Sequence, residues 1–149
     1  MLQFITHHTD RYDEIAGTRA VLEGGCRWVQ LRMKDTPAEE VLRIGREIEK
    51  LCREYGAKFI LDDHVELVRE LNADGVHLGQ SDIPVEDARR MMGDDAIIGV
   101  SVHTVEQARE AIGGGADYLG VGSIFTTATK ADAVQAIGLD VVFQITQEF

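Results

Sequence analysis

Short β-branched runs alternate with stretches of helical apolar periodicity along the whole of this chain, and few architectures accept that order. Strands are expected at Leu2 to Thr6, Arg27 to Arg32, Lys58 to Asp62, Gly75 to Gly79, Ile97 to Ser101 and Tyr118 to Gly122. Helices are expected between them, at Tyr12 to Glu23, Val65 to Leu71, Pro84 to Met92 and Leu139 to Glu148 among others. The second helix is the best marked: Thr36 and Glu39 have the spacing of a capping box, Pro37 suits the first turn and Gly56 ends it. Val41, Ile44, Ile48, Leu51 and Tyr55 recur inside it at spacings of three and four, one apolar stripe for a sheet. A second box, Thr104 with Gln107, opens the fifth helix, which Gly113 to Gly115 close.

Each helix is long enough to serve as a crossover, so consecutive strands run parallel. Two architectures satisfy this, a doubly wound open sheet and a (β/α)8 barrel. The repeat does not separate them, but polar residues gather at nearly every strand end, and only in a barrel do all those ends share one mouth. The reading is therefore an α/β chain of TIM-barrel type, one incomplete domain over residues 1–149 with about six of the eight βα units. Strands one and six would then have open edges. The expectation is a shortened product, or a chain completed by a second copy as a homo-oligomer.

With 44% hydrophobic residues the chain can form a sizeable core. No apolar run reaches the roughly 18 residues of a membrane span, and the start MLQFITHHTD lacks the regions of a signal peptide, so a cytoplasmic protein without a membrane partner is expected. Cys26 and Cys52 have neither C-x-x-C nor metal-ligand spacing and read as buried thiols. A net charge of −11 argues against a nucleic-acid partner, because phosphate backbones are held by Lys and Arg. A polyphosphate remains accessible to an acidic chain if a few cations converge or carboxylates recruit a divalent metal.

The residues for both are present. Gln30, Arg32 and Lys34 recur at period two, so an extended strand directs them to one side, the barrel mouth, where an amide and two cations suit a pyrophosphate and a hydrogen-bonding heterocycle. The alternative is a strand fraying into a solvated loop with Arg32 paired to Asp35. Asp62 and Asp63 end the third strand and Asp82 follows the fourth; Asp63 and Asp82 together could hold one Mg²⁺, or each could cap the helix that follows it. Ser101 ends strand five, and the loop from Gly122 to Lys130, with its hydroxyls and lysine, suits a phosphate cradle or is a threonine-rich surface loop. Gly138 reads as the end of that loop rather than a ligand contact. Of the histidines, His77 reads as a core residue, His64 adjoins the carboxylates and His103 is the plausible proton-transfer group.

Taken in order, Gln30-x-Arg32-x-Lys34, Leu61-Asp62-Asp63, Asp74-Gly75-Val76-His77-Leu78-Gly79-Gln80-x-Asp82, Gly99-Val100-Ser101 and Gly122-x-Ile124-Phe125-x-Thr127-x-Thr129-Lys130 resemble thiamin phosphate synthase. The likeness runs from residue 2 to about residue 140. That resemblance implies a Mg²⁺-dependent transferase joining hydroxymethylpyrimidine pyrophosphate to thiazole phosphate with release of pyrophosphate. It implies that Gln30, Arg32, Lys34, Ser101 and Lys130 bind the pyrimidine pyrophosphate, that Asp63 and Asp82 hold the metal, and that Thr127 and Thr129 hold the thiazole phosphate. Asp62 joins the ligand-binding set at a position where the family usually has Asn. Arg32, Lys34 and Lys130 would stabilise the charge that gathers on the departing pyrophosphate. Thr126 and Ala128 replace the usual prolines of the last loop, and the turns after strands seven and eight, which complete the thiazole phosphate site, are missing. The alternatives are a thiazole tautomerase using His103 without metal and a non-catalytic barrel fragment that self-associates.

Overall fold

The alternation read from the sequence is the one the backbone adopts. A computed structural model describes residues 1–126 and 136–149, and within them strand and helix follow each other strictly. The elements are β1 (Phe4–Ile5), α1 (Glu14–Glu23), β2 (Trp28–Leu31), α2 (Ala38–Tyr55), β3 (Lys58–Asp62), α3 (Val65–Val68), β4 (Gly75–Leu78), α4 (Val85–Met92), β5 (Ile97–Val102), α5 (Val105–Gly113), β6 (Tyr118–Val121) and α6 (Gly138–Glu148). They group into two compact units, Met1–His77 and Leu78–Phe149.

In the first unit β1 pairs with β2, β2 with β3 and β3 with β4, all parallel. The registers Val29↔Phe59 and Leu31↔Leu61↔Val76 put the odd-phase residues of β2 in line with their neighbours, and all five are buried on the helix side. Against them α2 lays Val41, Ile44, Ile48 and Leu51. Tyr55, the last residue of the expected stripe, is half-buried under the Arg27 guanidinium, 5.6 Å from its ring centre. In the second unit β5 and β6 run parallel with Gly99 opposite Tyr118, and Ile98, Val100 and Val102 are buried with Ala108 and Ala111 of α5. All four residues of β6 are only half-buried, and α6 leaves Leu139 and Phe143 exposed.

The exits of α1, α2, α3 and α5 follow one local design. At Gly25, Gly56, Asn72 and Gly115 the chain turns left-handed, with φ of 97°, 62°, 49° and 98°. Each of these residues donates its N–H three residues back, and the next residue donates five back: Cys26 to Val21, Ala57 to Cys52, Ala73 to Val68 and Ala116 to Ala111. This is the paired bond of the Schellman motif, which satisfies helix-end carbonyls without a side chain. Asn72 is the non-glycine member, and Asn tolerates this conformation better than most residues. Nothing lies within 4 Å of a Cβ placed on Gly56, so Gly56→Ala tests conformation alone. The expected result is a loss of about 1–2 kcal/mol in urea unfolding with an unchanged slope.

Two helix starts depart from expectation. Pro37, at φ −57° and ψ 143°, occupies the N-cap of α2 itself, and the Thr36 hydroxyl donates to the Lys34 carbonyl, so the Thr36–Glu39 box does not form. Thr104 does cap α5, accepting from Gln107 N at 3.1 Å, but the Gln107 amide oxygen reaches past it to His103 N at 2.7 Å. Elsewhere the differences lie at element ends. Asp13 caps α1 through Ala16 N, so that helix starts two residues later than expected, and α3 stops at Val68.

Candidate active site

Parallel register assembles the first unit's site. Asp62 lies opposite His77, and Arg32, one step beyond β2, continues the row in which Gln30 faces Ile60. Residues of one phase on neighbouring parallel strands point to one face, so the face away from α2 carries Gln30 and, one layer on, Arg32, Asp62 and His77. Gln30 is fully buried and its Nε2 donates to Gln3 Oε1 at 3.3 Å. Asp62 and His77 are each 8% exposed, which agrees with a core reading of His77.

At the open end of this layer two cations meet two carboxylates. Arg32 Nε lies 3.7 Å from Asp62 Oδ2, and Lys34 Nζ lies 3.8 Å from Asp63 Oδ2. Arg32 therefore takes Asp62 rather than Asp35 as its ion-pair partner. The strand stops at Leu31, so Arg32 and Lys34 stand on the loop beyond it, while Gln30 remains in the sheet.

Thr6, which sequence reasoning passed over as one more strand residue, holds that loop in place. Its hydroxyl accepts from Arg32 N at 2.9 Å and donates to Arg32 O at 3.3 Å, while its own N–H reaches Gln30 O at 2.9 Å. A fully buried hydroxyl bonded to both sides of one residue fixes where that residue's side chain departs. A β-branched polar residue just past a strand was the available signal.

Asp63 turns the chain out of β3 with φ +68°, donating its N–H to His77 O at 2.9 Å. Such a conformation is uncommon for a residue with a side chain, and Asp is among those that adopt it. The N-cap position of α3 belongs to His64, so the Asp63 carboxylate is not that helix's cap. In the second unit Asp82 Oδ2 accepts from Gly79 N at 2.6 Å, closing a turn rather than capping α4, whose N-cap is Pro84. Gln80 Nε2 donates to Ser101 O at 2.6 Å and so ties the loop after β4 to β5. His103 Nδ1 lies 2.6 Å from Gly122 O, an acceptor, which places the proton on Nδ1 and leaves Nε2 as the basic nitrogen. Thr127, Thr129 and Lys130 lie outside the described residues. Gly138, with φ +78°, opens α6.

The thiols stand apart from this chemistry. Cys26 is half-buried rather than buried, its Sγ 3.3 Å from Trp28 O, and burial with nearby Asp74 and Glu49 pushes the Cys52 thiol up to about 12. Iodoacetamide at pH 8 is expected to modify Cys26 in the native protein and Cys52 only after unfolding, as counted by intact mass.

Among the described residues no group of three or more His, Cys, Asp or Glu side chains forms a metal cage, and no helix is long and apolar enough to cross a membrane. The donors at hand are carboxylate oxygens, which suit a hard cation that keeps most of its own water. At Asp63 a cation, the Lys34 ammonium, already lies beside the carboxylate.

The family model described as thiamine monophosphate synthase matches residues 2–149. The thiamine-phosphate synthase of Phocaeicola vulgatus is 50% identical over 139 residues, covering 93% of this chain and 67% of the relative. That of Bacteroides thetaiotaomicron is 47% identical over 139 residues, covering 93% of this chain and 66% of the relative. A solved structure titled thiamine phosphate pyrophosphorylase, from Pyrococcus furiosus, superposes with a TM-score of 0.86 at 40% identity, over 99% of this chain and 69% of that one. The fold is thus of the α/β barrel type expected from the sequence, and the chain spans about two thirds of the length of the relatives it matches.

Proposed function

This chain belongs to the thiamine monophosphate synthase family, and we propose that it carries the pyrimidine pyrophosphate half of a thiamin phosphate synthase site. The reaction joins hydroxymethylpyrimidine pyrophosphate to thiazole phosphate and releases pyrophosphate. The observation that supports this reading is the meeting of Arg32 and Lys34 with Asp62 and Asp63 at the ends of β2 and β3.

In this reading the pyrimidine carbon–oxygen bond ionises, the thiazole nitrogen attacks the resulting cation, and the departing pyrophosphate gains charge. Arg32 and Lys34 bind and orient that group and stabilise its charge as it leaves. The buried Gln30 amide and the Ser101 hydroxyl would meet the pyrimidine side, and Lys130 with Thr127 and Thr129 the phosphates. Asp63 and Asp82 are the carboxylates this reading assigns to Mg²⁺. When bound, the metal supplies charge neutralisation on the phosphate oxygens. None of these steps requires a nucleophilic side chain. Two free thiols and small-molecule substrates fit a cytoplasmic enzyme.

The test is pyrophosphate release from both substrates with magnesium, followed by a coupled phosphate assay. Turnover that disappears on chelation and in Asp63→Ala supports the reading. Undiminished turnover in Asp63→Ala rejects the metal role, and no release by folded protein rejects the activity.

A further inference from the structure

Thr6 and Arg32 are each the first residue beyond a strand, since β1 ends at Ile5 and β2 at Leu31. The backbone carries the pairing one step past β1, with Thr6 N donating to Gln30 O at 2.9 Å. From there the Thr6 hydroxyl takes over, accepting from Arg32 N at 2.9 Å and donating to Arg32 O at 3.3 Å. Those two groups flank the Arg32 Cα, so tying both sets the direction of its Cα–Cβ bond, the root of the guanidinium. Thr6 is 1% exposed, which keeps water from competing for either bond. Its branched Cβ restricts χ1, so the hydroxyl is held by its own side chain as well. A guanidinium grips phosphate oxygens through a planar fork, and a displacement of about 1 Å at a reacting group can cost about 100-fold in rate.

We propose that Thr6 is a positioning residue for this reaction, acting on the rate through Arg32 by fixing the backbone from which the guanidinium projects. Being buried, it has no surface to offer a substrate, and its effect is confined to where the Arg32 side chain starts. This rests on the reading above that Arg32 stabilises the departing pyrophosphate, and it adds to that machinery a residue from the end of β1.

The experiment is a double-variant cycle on pyrophosphate release by the full chain. kcat and KM are measured for wild type, Thr6→Val, Thr6→Ser, Arg32→Ala and the double variant Thr6→Val with Arg32→Ala, and urea unfolding is run on each. Thr6→Val keeps the shape and removes both bonds, so kcat is expected to fall about tenfold with KM changed less than about twofold. Thr6→Ser restores the hydroxyl and should return kcat to within about threefold of wild type. In the Arg32→Ala background the same Thr6→Val change should cost less than about twofold, because the group it acts through is gone. Four results would each overturn the proposal: a loss of about tenfold in that background, no rescue by Thr6→Ser, a kcat untouched by Thr6→Val, or a Thr6→Val chain that does not fold. The last would show Thr6 to be structural only. If wild type releases no pyrophosphate, the site reading itself fails and takes this inference with it; if wild type turns over and only the cycle disagrees, this inference alone fails.

Discussion

Arg32→Ala is expected to reduce pyrophosphate release about 100- to 1000-fold with both substrates saturating, the size found when one preorganised donor to developing charge is removed. The side chain is 21% exposed and makes no part of the apolar core, so the fold should survive its loss. Its backbone is clasped by Thr6 whatever the side chain is, which keeps the loop in place. The effect should fall on kcat more than on KM, because charge accumulates on the leaving group only as the bond breaks. Arg32→Lys restores the charge but not the planar fork and should recover only part of the rate. An alanine variant within threefold of wild type would remove Arg32 from the reaction.

Gly99→Ala is expected to destabilise the second unit by about 2–3 kcal/mol, although it adds one methyl group. Gly99 in β5 lies opposite Tyr118 in β6, and a Cβ there would fall within the space of the Tyr118 ring and hydroxyl. The ring cannot yield cheaply, because it is carried by a strand whose first turn is pinned: Asp117 exchanges bonds with Ile98 through its N–H and its Oδ2, each at 2.7 Å. Arg89 reinforces the same point, pairing with Asp117 at 2.7 Å and donating to Gly115 O. Urea unfolding measures the loss, and adding Tyr118→Ala should recover part of it, since the clash is then absent. Equal losses in the single and double variants would show that something other than the ring is responsible.

The order of elements was legible because the apolar signal is local. Val29 and Leu31 alternate with Gln30 and Arg32, Phe59 to Leu61 form a short continuous apolar run, and the α2 stripe repeats at helical spacing, so each segment carries its own signal. Capping was legible only where one residue settles it. Gly56 stops α2 as expected, whereas the Thr36–Glu39 spacing misled because Pro37 fixes the backbone one residue further on.

Site residues could be picked out as charged groups at strand ends, but their pairing could not. Whether Arg32 meets Asp35 or Asp62 depends on how β2 and β3 align, and no short-range pattern encodes that register. The Ala-Asp step before β4 and again before β6 was a repeated signal that went unread. Asp74 and Asp117 each clasp the preceding strand, at Phe59 and Ile98. Gln30 was expected at the mouth; β2 runs one residue past it, to Leu31, so Gln30 lies in the sheet beneath Arg32.

The four left-handed helix exits bear on how such a chain finds its phase. Each reversal is sealed by bonds reaching back five residues at most, so its closure needs no distant partner and little chain entropy is lost in making it. A helix that overran by one residue would rotate the following strand's entire pattern from core to solvent. Local stops of this kind act as a ratchet against that slip: they set which residues of the next segment face inward before any neighbour has docked.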